Sequence, residues 1–199
     1  MHDLDIRRRL RRELRGRFEN DPDTVVVEEL GILQGKARVD IAVVNGMLHG
    51  YEIKSACDTV QRLPQQARFY DKVFDCVTLV LSERHLQHAF ELVPEWWEIV
   101  LAIPEPSGEI AFQVLRTGRA NPYVNARAIA ELLWREDAIL MLSERGAARG
   151  YLSKPRRLIW DRLCEVYNLD EIKEAVRLRL KCRAVLNQRA ARPTVASPM

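Results

Sequence analysis

The chain has 199 residues, of which 47% are apolar and 30% charged, and a net charge of +3. That balance belongs to a folded globular protein of one domain, or one with a smaller appendage. It holds no apolar run near the ~20 residues of a membrane span, no signal-like start and no CxxC or disulfide-dense spacing among Cys57, Cys76, Cys164 and Cys182, so a reduced cytoplasmic setting is expected.

In chain order, Asp5 is placed to cap a helix from Ile6, with Ile6, Leu10, Leu14 and Phe18 on one apolar face and arginines around the rest. The stretch ENDPD breaks it. TVVVEELGI (24–32), RVDIAVV (38–44) and LHGYEIKS (48–55) read as three strands. LPQQARFYDKVFD (63–75) reads as a helix with Pro64 in its first turn and Leu63, Ala67, Tyr70 and Phe74 on one face. CVTLVLS (76–82) is a buried strand, ERHLQHAFEL a short helix, and WEIVLAIP and EIAFQVLR two more strands. From about residue 120 the pattern turns helical: NARAIAELLW, EDAILMLSER, PRRLIWDRLCEVY and LDEIKEAVRLRLKCRAVLNQRA. The expected division is 1–119, a helical module over 120–190, and a disordered tail over 191–199.

The charge is segregated. Residues 1–17 hold seven arginines against three acids, and residues 149–199 hold twelve basic residues against five acids. Residues 18–148 are net negative. Basic ends around an acidic middle suit a polyanionic partner and a cation-binding centre, although solvated helix faces would give the same count.

The stretch RVDIAVVNGMLHGYEIKS (38–55) carries the sharpest pattern. Asn45-Gly46 between alternating runs signals a hairpin. A two-residue turn would pair Asp40 with Tyr51 and Val39 with Glu52, mixing charge and bulk on each face. An odd loop, taken as Val44-Asn45-Gly46 with Gly46 left-handed, puts Asp40, Glu52 and Lys54 on one face. It puts Val39, Ile41, Val43, Tyr51 and Ile53 on the other. An odd loop, or a compensating bulge at Gly50, is therefore expected. Two neighbouring carboxylates repel unless a cation lies between them, and a hard divalent ion suits them.

This constellation, Asp40 on one strand and Glu52-Ile53-Lys54 on the next, resembles the PD-(D/E)XK nuclease superfamily, with Val39-Asp40 in place of the usual Pro-Asp. The wording around it is most similar to a poorly characterised bacterial branch. The resemblance covers roughly residues 5–90. It implies an α/β (α+β) fold with a restriction-endonuclease-like α-β-β-β-α-β core, a mixed sheet and, here, an added helical module. It implies a Mg2+- or Mn2+-dependent hydrolase of nucleic acid, DNA first, with Asp40 and Glu52 as metal ligands, the Ile53 carbonyl as a further one and Lys54 activating the attacking water. An upstream glutamate joins such sites. Glu13, Glu28 and Glu29 are candidates and Glu29 is favoured. Gln66, with Gln65 as the alternative, fits the residue that the second helix contributes, while Tyr70 fits the core. One metal or two, endo- or exonuclease action, and a homodimer are left open.

The cations expected to meet phosphates are Arg8, Arg12 and Arg38 near the site and Lys154, Arg156 and Arg157 in the helical part. The latter segment is loosely similar to SAP-type modules, with an ordinary helical bundle preferred. His49, His85 and His88 form no convincing metal set, and Trp96-Trp97 suits sheet packing better than base stacking. No GxxxxGK[ST] or GxGxxG loop is present, which argues against an intrinsic NTPase. The competing readings are an inactive nucleic-acid-binding module on the same fold and a helical adaptor whose arginine helix binds an acidic protein.

Overall fold

Helix α1 (Asp3–Arg17) opens the computed structural model, which describes residues 2–190. Ile6, Leu10 and Leu14 are all buried, as their four-residue spacing predicts. The helix begins earlier than Ile6. His2 holds the N-cap position, and Asp5 reaches back to accept its backbone N–H at 3.1 Å. Asp5 therefore serves as the third helical residue rather than the cap.

Strands β1 (Val25–Ile32), β2 (Ala37–Val44) and β3 (Leu48–Lys54) follow, then α2 (Leu63–Tyr70) and β4 (Cys76–Ser82). This is the expected α-β-β-β-α-β order. Helix α3 (Leu86–Leu92), β5 (Glu98–Pro104) and β6 (Ile110–Arg116) extend it. The six strands lie side by side in chain order, parallel at β3–β4 and β4–β5 and antiparallel elsewhere. The protein is thus an α+β fold on a mixed sheet. Helices α4 (Ala126–Ala130), α5 (Arg135–Glu144), α6 (Arg156–Val166) and α7 (Leu169–Ala190) complete it.

Helix α2 stops at Tyr70 instead of running to Asp75. The Asn121 side-chain amide donates to the Asp71 and Phe74 carbonyls, both at 2.7 Å, and so holds the chain in turns after the helix. Tyr70 and Phe74 still share the buried face predicted for them.

The hairpin loop is odd, as the alternation demanded, but sits one residue later. Val44 pairs with Leu48, leaving Asn45, Gly46 and Met47 as the loop. Asn45 Oδ1 accepts the Met47 N–H at 3.1 Å, and Gly46 does not adopt the left-handed conformation expected of it. Nor is there a bulge at Gly50, which pairs regularly with Ala42 and Val77. Its glycine has a different cause: a Cβ there would meet the Phe74 ring at 3.1 Å.

Helices cover both faces of the sheet. On one, Ile6, Leu10 and Leu14 pack over Ile41, Val43, Tyr51, Ile53, Val80 and Val100. On the other, a single buried cluster runs from Val44, Leu48, Leu79 and Tyr70 through Ile129, Trp160, Leu163, Val176 and Leu180. Residues on either side of position 119 therefore share one core. Val39 departs from the predicted odd-numbered stripe and joins the second cluster. The cause is an irregularity at Asp40. The tail 191–199, expected to be disordered, lies outside the described residues.

Candidate active site

The β2–β3 ladder stops at Ile41↔Tyr51, one residue short of Asp40. Beyond it Asp40 Oδ2 takes the place of a strand carbonyl and accepts the Ile53 N–H at 2.7 Å. Across β2, residue Glu29 of β1 has φ +55°, and its flanking pairs Glu28↔Ile41 and Leu30↔Val39 close around it. The three strands thus loosen at one level. There they present Glu29, Asp40 and Glu52 from consecutive strands.

Glu52 is only 2% exposed and every contact it makes is a donor. Lys54 Nζ and Gln66 Nε2 each lie 2.6 Å from its Oε1, and Tyr70 Oη lies 2.6 Å from its Oε2. A buried carboxylate is tolerable only with such partners. The Tyr70 hydroxyl has one proton and two acceptors, Glu52 and, at 2.9 Å, the Arg38 carbonyl. Burial first, then the Glu52 charge, pushes this phenol well above its ordinary pKa, so it stays a donor.

Asp40 and Glu52 strain against each other. Burial and then the Glu52 charge push the Asp40 carboxyl up to about 7, against the opposing pull of the Ile53 N–H, Arg7 and Lys54. Arg7 sits between Asp40 and Glu29: Nη2 donates to Asp40 Oδ1 at 2.6 Å and Nη1 to Glu29 Oε1. Its Nε is 3.3 Å from Asp3. Burial would lower the guanidinium pKa, but Asp40, Glu29 and Asp3 more than offset it, and Arg7 is held charged.

Of the predicted site residues, Glu52, Lys54 and Gln66 share one hydrogen-bonded set, and Asp40, bonded to the Ile53 N–H, is close enough for its charge to act on Glu52 and Lys54. Glu29 joins through Arg7 and also pairs with Arg38 at 2.7 Å. Glu28 pairs instead with Arg11, and Glu13 with Arg9 and Arg17. Gln65 is exposed. Arg8, Lys154, Arg156 and Arg157 are exposed and make no ion pair among the described residues, whereas Arg12 lies 3.6 Å from Glu109.

For a hard divalent cation the donor set fits in kind. Two carboxylates destabilise each other, and Gln66 Oε1, an acceptor beside them, is buried without a hydrogen-bond partner. The carboxylate oxygens are meanwhile taken by Arg7, Ile53, Lys54, Gln66 and Tyr70. Among the described residues no three His, Cys, Asp or Glu side chains converge as a ready metal cluster. A metal on Asp40 Oδ1 competes with Arg7.

Sequence reasoning passed over Arg7 and assigned Tyr70 to the core alone. Arg7 follows Ile6 on α1, so it flanks the apolar stripe, and acidic Glu28-Glu29 is the counter-charge that signals its direction. Tyr70 is four residues after Gln66, one helical turn, which places both on Glu52.

The fold and site define an α+β protein with a carboxylate–lysine centre at the parting of two strands. The chain belongs to the family described as bacteriophage P4 protein cII, whose model matches residues 5–191. That match is to this family and not to the superfamily the motif resembles. Protein cII of Enterobacteria phage P4 is 23% identical over 161 residues, which are 81% of this chain and 60% of that protein, so the chain spans about 60% of its relative's length. Among solved structures, Pyrococcus furiosus SfsA in complex with Ca2+ aligns over 57% of this chain and 62% of its own, with 16% identity and a TM-score of 0.33.

Proposed function

We propose that this chain is a metal-dependent nuclease of PD-(D/E)XK type that hydrolyses phosphodiester bonds of nucleic acid, DNA first. The observation that carries the reading is the grouping of Asp40 with Glu52, Lys54 and Gln66 at one part-buried, polar point where β2 and β3 part. A Mg2+ or Mn2+ ion, held by Asp40 and Glu52 with Glu29 and the Ile53 carbonyl as further donors, would supply the positive charge that polarises the phosphoryl group and acidifies water. The chain's own groups do the rest. Gln66 and Tyr70 fix the Glu52 carboxylate. Lys54, an ammonium beside Glu52, is positioned to hold a phosphate oxygen and to steady charge as it develops there. Arg38, exposed and paired with Glu29, suits a flanking phosphate, and Arg8, exposed on α1, suits one further out.

The test is cleavage of single-stranded, duplex and branched DNA and of RNA in Mg2+ or Mn2+. Asp40→Asn and Lys54→Ala are each expected to lower the rate by roughly 100-fold or more. Cleavage that both variants retain would remove the site assignment.

A second reading, a nucleic-acid-binding module without catalysis, is favoured by one observation: Arg7 already neutralises Asp40 and Glu29. Binding without cleavage on every substrate would select it.

A further inference from the structure

A cleft of about 620 Å³ opens between β1 and the helical layer, away from the carboxylates. Its floor is the β1 segment around Leu30 and Gly31. Its walls are the turn Leu33–Gly35, Trp134 at the start of α5, Trp160 and Arg156 of α6, and Arg183 of α7. We propose that this cleft binds a single-stranded segment of nucleic acid, with a base stacked on Trp134 and a phosphate on Arg156. The inference takes the chemical class of its ligand from the nucleic-acid reading above and its place from the cleft alone.

Four observations point this way. Trp134 is 61% exposed, while the other tryptophans, 96, 97 and 160, are buried. The Arg183 guanidinium lies 4.0 Å from the Trp134 ring centroid and is itself tied to the Leu132 carbonyl at 2.9 Å and to Asp137. The indole is thus held from behind, as a stacking platform requires. Second, the charge is complementary to phosphate. Arg156 has no ion pair among the described residues and stands beside the equally unpaired Lys154 and Arg157. The acid of the wall, Glu131, is paired at 2.7 Å with Arg127, which also pairs with Asp161.

Third, the wall is a strained segment. Leu33, Gln34 and Gly35 have φ of +49°, +58° and +85°, and only the last is a residue that adopts this freely. Gln34 Nε2 is tied to Glu131 Oε2 at 3.2 Å, which fixes the turn against the helical layer. Consecutive left-handed residues persist only where the surroundings impose them, and such strain gathers at ligand sites. Fourth, Trp160, whose indole N–H is buried with no hydrogen-bond partner among the described residues, lines the same wall.

Size selects the occupant. The volume is within the roughly 300–1,000 Å³ of pockets that enclose a small molecule, enough for an unstacked nucleotide and too small for a duplex. Gly31, in the cleft, pairs with Arg38 on β2, and Arg38 pairs with Glu29. The cleft and the candidate active site are thus distinct places joined through the β1–β2 pairing at Gly31 and Arg38.

The experiment is titration of the full chain with a short oligothymidine, the matching duplex and free thymidine monophosphate. It is followed by intrinsic tryptophan fluorescence in EDTA, so that no cleavage is needed. The single strand should quench the fluorescence and bind more tightly than duplex or mononucleotide. Trp134→Ala should abolish the quench and weaken binding, measured by anisotropy of a labelled strand, roughly 10-fold. Arg156→Gln should weaken it and lower the salt dependence by about one phosphate contact. Unchanged anisotropy with Trp134→Ala, equal binding of the duplex, or equal binding of the mononucleotide would each overturn the proposal. Binding as described with no cleavage in Mg2+ would sink the enzymatic reading alone. Cleavage with a cleft indifferent to Trp134 would sink this inference alone.

Discussion

Arg7 decides how the carboxylates of this protein behave without added cation. It bridges Asp40 and Glu29 across two strands, and its removal leaves the part-buried Asp40 without its main counter-charge. Arg7→Ala is expected to lower stability in EDTA by about 1–3 kcal/mol, read by urea unfolding. Millimolar Mg2+ should then raise the midpoint more in Arg7→Ala than in the wild type, because the ion no longer competes with a guanidinium for Asp40. An equal response would mean that arginine and metal do not share a place. At this scale the sequence was legible where chemistry follows parity. The alternation of one hairpin predicts Asp40, Glu52 and Lys54 as neighbours, and the structure brings them near one another although the alternation itself breaks at Val39. Arg7 was not legible in this way, because its partners lie 22 and 33 residues away and no local periodicity links them.

Among elements, the middle of the sheet is stitched by a polar relay across three strands. Thr78 of β4 gives its proton to Glu98 of β5 at 2.6 Å, so its hydroxyl oxygen accepts from His49 Nε2 of β3 at 2.8 Å. His49 Nδ1 is left to accept from the Tyr51 hydroxyl at 3.4 Å, beneath a stacked pair of rings. Burial, with help from Arg17, holds the imidazole pKa down to about 4, against roughly 6.5 when unfolded. The unfolded chain therefore takes up this proton first, and stability is lost as pH falls from about 6.5 through 4. His49→Gln should flatten that fall by up to about 3 kcal/mol relative to the wild type in urea titrations at pH 7, 5.5 and 4.5. Asp40, with its raised pKa, acts in the opposite sense in both proteins, so the difference isolates His49. The elements themselves were largely readable. Strand β4 falls where its apolar run does, and Ile6, Leu10 and Leu14 mark α1. Boundaries failed where distant groups set them: Asn121 ends α2, and the opening at Asp40 turns Val39 to the other face.

Over the whole molecule, the helices α4–α7 close the sheet face that α2 leaves uncovered. Ile129, Trp160, Leu163, Val176 and Leu180 bury one side of a cluster whose other side is β-sheet. The change in composition near residue 120 was visible in the sequence, but the shared core was not, since nothing local says which sheet face a helix will cover. A chain ended at residue 119 would expose that apolar face. It is expected to bind a hydrophobic dye and to unfold without a sharp transition. A cooperative melt of the 1–119 fragment would instead establish it as a unit that stands alone. Among the described residues no helix is long and apolar enough to cross a membrane.

The strands lie in the sheet in the order in which they occur in the chain, and this bears on how the molecule comes together. Glu29, Asp40, Glu52 and Lys54 belong to a meander of three consecutive antiparallel strands. Their contacts close short loops and form at small entropic cost. The contacts of α7 with β1 and β2 span well over a hundred residues and close their loops at larger entropic cost. Helix α7 also carries Arg183, which backs Trp134, so the cleft is completed only by this long-range packing, whereas the carboxylate centre is built from neighbouring strands.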